Sequence, residues 1–291
     1  LGELRGLGRL RRLNAAGRLE SALASFDLLM ANDVDTAGLL AQKLDDQNKQ
    51  RQEMTRQMQE TAEGLAQVKD DDLMVFAASP DFNMGVVGLV AARLTETHYL
   101  PSVVGAFGEE FTRASCRSIP EFHITHALDE CADLFERHGG HAMAAGFTVR
   151  NDRLPELQQR LKSIALRELQ GRELKPVLKA DMEIALKDLK PEVLKLIDAL
   201  EPTGHQNREV LFVTRHLKVT RYRTVGSDQR HLRITVSDGF VTYDAIAFRM
   251  GHFAENMPEY VDLIYAYERN VFQGRESLQL NVRDLKASTN I

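Results

Sequence analysis

The stretch from residue 35 to residue 69 most limits the folds open to this chain. It reads as one long helix with a thin apolar stripe, Leu40, Leu44, Met54, Met58 and Leu65, set among Gln, Lys, Arg, Asp and Glu. A continuous helix of that length spans roughly 50 Å. A helix so polar bridges domains, with water along much of its length. A coiled-coil seam is the weaker alternative, because Gln47 and Arg51 interrupt it. With 291 residues the chain has material for two ordinary domains, and this helix is expected to act as a connector.

Ahead of it, residues 1–30 open with Gly2, Gly6 and Gly8 among Arg5, Arg9, Arg11 and Arg12. Asn14-Ala15-Ala16-Gly17-Arg18 follows, then a helix over 20–30 with Leu23, Phe26, Leu29 and Met30 as its apolar side. By spacing alone, residues 14–18 form a helix-linking turn with a solvated arginine. After the connector, Asp70-Asp71-Asp72 is a solvated loop, since consecutive aspartates point apart. Strands are then expected over 73–78, 100–107, 111–119 and 144–149, and helices over 86–97, 124–137 and 154–171. Such alternation predicts an α/β domain with a mixed sheet.

Within that domain, the segment His138-Gly139-Gly140-His141-Ala142-Met143-Ala144-Ala145-Gly146-Phe147 stands out. Its two glycines are expected in a helix-to-strand turn, where they permit positive φ and leave amides bare. One reading is a tight turn with a polar histidine. The other is a surface with almost no side chains, which a phosphate chain could approach closely to meet an imidazole. The strand over 111–119 places Arg113, Ser115 and Arg117 on one face and Cys116 on the other. That face is either the polar side of an edge strand or a strip for a phosphate backbone. Gly85-Val86-Val87-Gly88 starts a helix directly after a strand, an arrangement that favours an anion, without the spacing of a P-loop or a dinucleotide fingerprint.

From residue 178 the composition shifts toward β. Strands are expected over 178–187, 210–219, 231–236, 242–248, 261–266 and 277–285, with a short helix over 190–200 opened by Pro191 and a hairpin turn at Asp238-Gly239. Five or six strands and one short helix suit an OB-type barrel. The whole chain carries a net charge of −5, which gives no general pull toward nucleic acid, so any such site must be a local patch. One exists between Arg208 and Arg233: Arg208, Arg215, Lys218, Arg221, Arg223, Arg230 and Arg233 outweigh Glu209 and Asp228. Tyr222 is a candidate stacking platform there, whereas Phe212 is expected in the core.

Several classes of chemistry find no support. Cys116 and Cys131 form neither a CxxC pair nor a disulfide framework, which fits a reducing, cytoplasmic compartment. No apolar run has the length of a membrane helix. A zinc site from His138, His141 and Cys116 or Cys131 has suitable donors, but the glycines have another explanation. No Asp-His-His or strand-end Asp-x-Asp is present, so no metal ligands are assigned in this chain.

Gly139-Gly140-His141-x-x-Ala144-Ala145-Gly146 resembles the signature of the DHH-associated domain of DHH-family phosphoesterases. Leu13-Asn14-Ala15-Ala16-Gly17-Arg18-Leu19 resembles the motif that closes the catalytic domain of RecJ-type single-strand-specific exonucleases. Ser115-x-Arg117-Ser118-Ile119-Pro120 is similar to a family strand that lies beside the Gly-Gly-His turn and touches substrate. The family turn Glu-Pro-x-Gly-x-x-Asn-Pro occurs at 201–208 with Arg208 in place of proline, and residues 269–270 and 274–280 match its last hairpin. Where the family reads Trp-His-x-Gly, this chain has Phe82-Asn83-Met84-Gly85. The asparagine removes a charged or proton-donating group and keeps a hydrogen-bond donor.

The resemblance implies the C-terminal part of a 5′-to-3′ exonuclease for single-stranded DNA, acting in repair and recombination. Manganese or magnesium would be held by an N-terminal domain, and this chain alone would be inactive. With Leu1 in place of Met, it is expected to begin partway through a larger protein. The expected divisions are 1–34 as the end of the catalytic domain, 35–70 as connector helix, 71–175 as the DHH-associated α/β domain and 176–291 as the OB-fold domain. His141 would act at the scissile phosphate with the amides of Gly139 and Gly140. Asn14 and Arg18 would position the strand end, and Arg113, Ser115, Arg117 and Ser118 the backbone. Arg215, Lys218, Arg221, Tyr222 and Arg223 would hold the strand farther along the barrel. Partners would be single-stranded DNA and a single-strand-binding protein or helicase. Two other readings stay open: a non-catalytic single-strand-binding module, and an oligoribonuclease or nucleotide phosphatase of the same superfamily.

Overall fold

The computed structural model describes residues 13, 14, 17, 21–204, 206–226, 228–272 and 275–289. The chain divides into two compact units, Leu1–Pro176 and Val177–Ile291.

In the first unit, helix α1 (Leu23–Met30) leaves Leu23, Phe26, Leu29 and Met30 exposed, and its buried residue is Ser25. Helix α2 (Val34–Ala66) begins where the Asp33 carboxylate accepts the Thr36 amide at 2.7 Å, satisfying an otherwise orphaned donor. It is continuous, as its polar pattern predicts. Its buried line is not the expected stripe, however. Leu44 and Met58 lie on it with Gln47, Asn48, Thr55 and Ala62, while Leu65 is exposed. Met58 and Ala62 enter the apolar core of the α/β domain, so the second half of this helix is part of that domain and not a free strut.

The sheet runs β1 (Val75–Ser79), β2 (Ser102–Phe107), β3 (Phe111–Arg117), β5 (Ala144–Arg150), β4 (Phe135–His141). Only β1 and β2 are parallel; the other neighbours are antiparallel. Helices α2 and α3 (Val87–His98) pack on one face, against Val75, Ala77, Val104 and Ala106 of β1 and β2. Helices α4 (Ile124–Asp129) and α5 (Leu154–Leu169) pack on the other, against Phe76, Val103, Ala114, Cys116, Ala145, Phe147 and Val149. The second face is covered across all the central strands. The helical cover of the first stops at β3.

One expected element is corrected. The helix expected over 124–137 ends at Asp129; a single 3-10 turn, Ala132–Leu134, leads into β4. Gly139 and Gly140 are poor helix formers, and β5 would otherwise be an edge with unpaired amides and carbonyls. Pairing with β5 therefore captures residues 135–141. The Gly-Gly-His segment is thus the end of a strand, and the turn is Ala142-Met143 of a β-hairpin.

Cys116 is fully buried beneath β3, and burial pushes its thiol up to about 12. At pH 8 it should resist alkylation in the folded protein and react fully in denaturant. Labelling followed by mass spectrometry reads this directly, and rapid labelling of native Cys116 would contradict the packing of the strand.

The second unit is a closed barrel. Strands β7 (Phe212–Val225), β8 (His231–Ser237) and β9 (Thr242–Ala247) form an antiparallel meander. β9 pairs in parallel with β11 (Arg275–Ala287) over Leu280–Val282, β11 pairs with β10 (Tyr260–Phe272), and β10 returns to the first half of β7. A bulge at His216, with φ of 54°, lets the one long strand serve two neighbours. The buried Asp262 carboxylate accepts the His216 amide at 3.0 Å there. The long strand expected over 178–187 is corrected to a two-residue β6 (Met182–Glu183) followed by a 3-10 turn. Leu186 and Leu189 are both buried three residues apart, which a turn allows and strand alternation forbids. Together with Leu194 of helix α6 (Pro191–Asp198) they join the barrel core. A mixed-sheet α/β domain followed by an OB-type barrel is therefore the observed architecture.

Candidate nucleic-acid interface

The open part of the α/β sheet is the candidate site, and its layout follows from strand register. Directly opposed residues in an antiparallel ladder share a face. Arg117 opposes Ala144, which opposes His141. Ser115 opposes Gly146, which opposes Gly139. Arg113 opposes Thr148, which opposes Arg137. Three rows thus cross three strands on the face where the helical cover ends, with the start of α3 bordering the β3 side. Its centre is nearly free of side chains, with Arg113 and Arg117 on one side and Arg137 and His141 on the other.

The burial of β3 alternates as the sequence predicts, with Arg113, Ser115 and Arg117 facing outward and Ala114 and Cys116 inward. The Arg117 guanidinium donates through Nη1 to the Cys116 carbonyl at 2.8 Å, which fixes its direction. A Cβ on Gly88, in the first turn of α3, would lie 3.2 Å from Arg117 Nη2 and 3.4 Å from Ser115 Oγ. The helix start and the two strand side chains therefore meet at one place. Asn83 belongs to the same loop; its side-chain carbonyl accepts the Gly85 amide at 2.8 Å.

The two adjacent glycines have different reasons. At Gly140, φ is +154° and a Cβ would come within 2.4 Å of the Ala144 carbonyl oxygen. The fold itself requires glycine there. At Gly139 a Cβ would meet nothing within 4 Å. Packing does not require glycine at 139, so its effect is to leave backbone open to whatever lies above the sheet.

The hairpin tip is tied down from the side. The Ile124 amide donates to the Ala142 carbonyl at 3.1 Å, the Ser118 amide to the Met143 carbonyl at 3.0 Å, and the Thr125 hydroxyl to the His141 carbonyl at 2.8 Å. His141 itself is exposed.

Ser118 departs from its expected place in the row of contacts. It is buried and its hydroxyl donates to the Phe122 carbonyl at 2.6 Å, so it shapes the turn after β3 and presents nothing to the open face. His138 lies on the opposite face from His141, with Nε2 2.9 Å from Asp129 Oδ1 and its ring 4.9 Å from Phe135. That separation, with Cys116 buried on the far side, keeps these residues from sharing a zinc ion. Asn14 is exposed; Arg18 lies outside the described residues. Arg137 was not legible as a site residue while it stood at the end of an expected helix. Strand alternation over 135–141 would have placed it with Gly139 and His141.

Arginines, an imidazole and hydroxyls suit an anion and do not suit a divalent cation. Among the described residues, no three His, Cys, Asp or Glu side chains come together to hold a metal ion.

The barrel surface is more balanced than the sequence implies. Arg215 pairs with Glu183 at 3.1 Å and Asp262 at 3.6 Å, and Lys218 with Glu259 at 3.5 Å. Arg221 and Arg223 share the outer face with Arg233 and Asp244 through their pairing with β8 and β9. The Arg233 hydrogen bond, with help from Thr235, holds the Asp244 carboxyl below its ordinary range. Tyr222 opposes Ile234, whose side chain points inward, so its half-exposed ring lies on the other face from those arginines. The interleaving of arginines with Tyr222 on one face that the sequence implies is not formed. Among the described residues, no helix is long and apolar enough to cross a membrane.

Comparison with known proteins agrees with this fold. Residues 70–166 match the DHHA1 domain and residues 180–284 the RecJ OB domain. The chain is 31% identical over 282 residues to the single-stranded-DNA-specific exonuclease RecJ of Bacillus subtilis, covering 95% of this chain and 36% of that protein. With the Escherichia coli protein of the same description it is 31% identical, covering 94% of this chain and 49% of the relative. It spans half or less of the length of these relatives. The crystal structure of RecJ in complex with Mn2+ from Thermus thermophilus superposes with a TM-score of 0.80 at 26% identity, over 97% of this chain and 41% of that one. With both domains matched in order and the fold shared across nearly all its length, the chain belongs to the RecJ family, of whose architecture it carries the DHHA1 domain and the OB domain.

Proposed function

We propose that this chain is the substrate-gripping part of a 5′-to-3′ exonuclease for single-stranded DNA that serves repair and recombination in the cytoplasm. The single observation that carries the reading is the shared face of Arg117, Ser115, Gly139 and His141. A phosphate laid on that face meets a guanidinium fork, a hydroxyl and an imidazole, with no side chain at residue 139 to hold it off. Fixed donors of this kind stabilise charge that develops on a phosphate during cleavage and need no rearrangement at that moment. His141 is the group nearest in kind to a catalytic role, and Gly139 lets the strand come close, while Gly140 keeps the hairpin that carries them in register.

In this reading residues 1–34 close a catalytic domain, and Asn14 and Arg18 place the strand end. Residues 35–70 form the connector, 71–175 the gripping domain and 176–291 the barrel that holds the strand farther along. Manganese or magnesium, with which RecJ of Thermus thermophilus was crystallised, would be held by residues other than the set described above. A single-strand-binding protein or a helicase would hand over the substrate. Single-strand selectivity comes from the shape and charge of the open face, not from base edges.

Fluorescence anisotropy of labelled single- and double-stranded 20-mers against the 291-residue chain, across a salt series, tests this. Tighter binding of the single strand with a steep negative salt slope is expected. His141→Ala should weaken it without lowering the melting temperature, because His141 is exposed. Absence of binding at low salt would overturn the reading.

A further inference from the structure

The row Arg113–Thr148–Arg137 has no part in holding the phosphate at Arg117 and His141. On β3, Arg113 and Arg117 are four residues apart, which is about 13 Å along a strand. One phosphate cannot touch both rows. Arg113 and Arg137 stand on the two strands that flank Thr148, about 10 Å apart at the usual strand spacing. Their long side chains can converge from both sides on an anion above Thr148.

The charge pattern of the open face suits an anion. Several other arginines of the α/β unit have carboxylate partners: Arg150 pairs with Asp152 at 3.2 Å, Arg160 with Asp133 at 2.8 Å and Arg167 with Glu130 at 2.6 Å; Arg93 and Arg172 instead meet neutral oxygens, of Gln59 and of the Glu121 backbone. Among the described residues, no carboxylate lies within ion-pairing distance of Arg113, Arg117 or Arg137. Glu136 is the nearest acid in sequence to Arg137, and the register shift between Phe135 and Arg137 takes it out of the ladder. Like charges gathered on one face without counter-charges repel, and an anion relieves that repulsion.

We infer that Arg113, Thr148 and Arg137 form a second phosphate site, so that the sheet binds a strand through two separated phosphates. The ligand class is then an oligonucleotide long enough to reach both rows, not a mononucleotide. This rests on the proposed gripping role and adds to it a minimum length.

The test compares wild type, Arg137→Gln and Arg137→Lys of the 291-residue chain, each binding a labelled 20-mer of thymidylate across a salt series, with thymidine 5′-monophosphate as competitor. Arg137→Gln should weaken binding about five- to tenfold and make the salt slope shallower by about 0.7, the value of one phosphate on a single strand. Arg137→Lys should keep the slope. The monophosphate should compete equally well against all three proteins, since it needs only the Arg117 row. An unchanged slope for Arg137→Gln, or a matching loss of monophosphate competition, overturns the second site. Failure of the wild type to bind the 20-mer overturns the gripping role itself, which is a distinguishable result.

Discussion

Replacing Gly140 by alanine is expected to destabilise the α/β domain by about 2–5 kcal/mol and to abolish strand binding with it. The added methyl would sit 2.4 Å from the Ala144 carbonyl oxygen and 2.5 Å from Ala145 Cα, both backbone atoms of the paired strand. Neither can move without breaking the β4–β5 ladder, and the φ of +154° adds strain for any L side chain. Urea denaturation followed by circular dichroism measures the loss. Gly139→Ala is the control: with nothing within 4 Å of its Cβ, stability should change by less than about 0.5 kcal/mol, while DNA binding weakens. If Gly140→Ala melted like wild type, the hairpin register would be wrong, and with it the rows that define the site.

The second large effect is expected from charge reversal on the open face. Arg113→Glu combined with Arg117→Glu should reduce affinity for single-stranded DNA by about hundredfold or more at low salt. Each charge-assisted contact is worth roughly 1.5–3 kcal/mol, and reversal adds repulsion. Arg221→Glu with Arg223→Glu on the barrel should have a smaller effect. Arg233 remains there beside Asp244, and Arg223 directly opposes Arg233 in the ladder, so the substitution also relieves like-charge repulsion. Equal losses from the two double variants would place the barrel on a par with the sheet. A greater loss from the barrel pair would shift the main grip to it.

The sequence carried some of this and hid the rest for identifiable reasons. Period-two alternation in β3 is unambiguous, so Arg113, Ser115 and Arg117 group together on pattern alone. The polar pattern of α2 was equally legible, but not that Met58 and Ala62 dock into the next domain, because a stripe shows which side is apolar and not what covers it. Residues 130–137 misled because Cys131, Leu134 and Phe135 continue a helical spacing that the chain does not use. There the ladder with β5 outweighs local preference. That error concealed Arg137 and assigned Gly139 and Gly140 one shared reason where they have two. In the barrel, the charge excess between Arg208 and Arg233 counted basic residues correctly. It could not see Glu183, Glu259 and Asp262, which approach from distant parts of the chain.

The three hydrogen bonds that tie the hairpin tip to residues 118–125 bear on when order is acquired. A free loop carrying His141 would lose its conformational entropy on meeting a strand, at roughly 1–2 kcal/mol per residue for the backbone alone. Here the Ile124 and Ser118 amides and the Thr125 hydroxyl hold that backbone beforehand. The loss falls at folding, once per protein molecule. Under the proposed gripping role, such a tip makes each new grip quick and each release easily reversed.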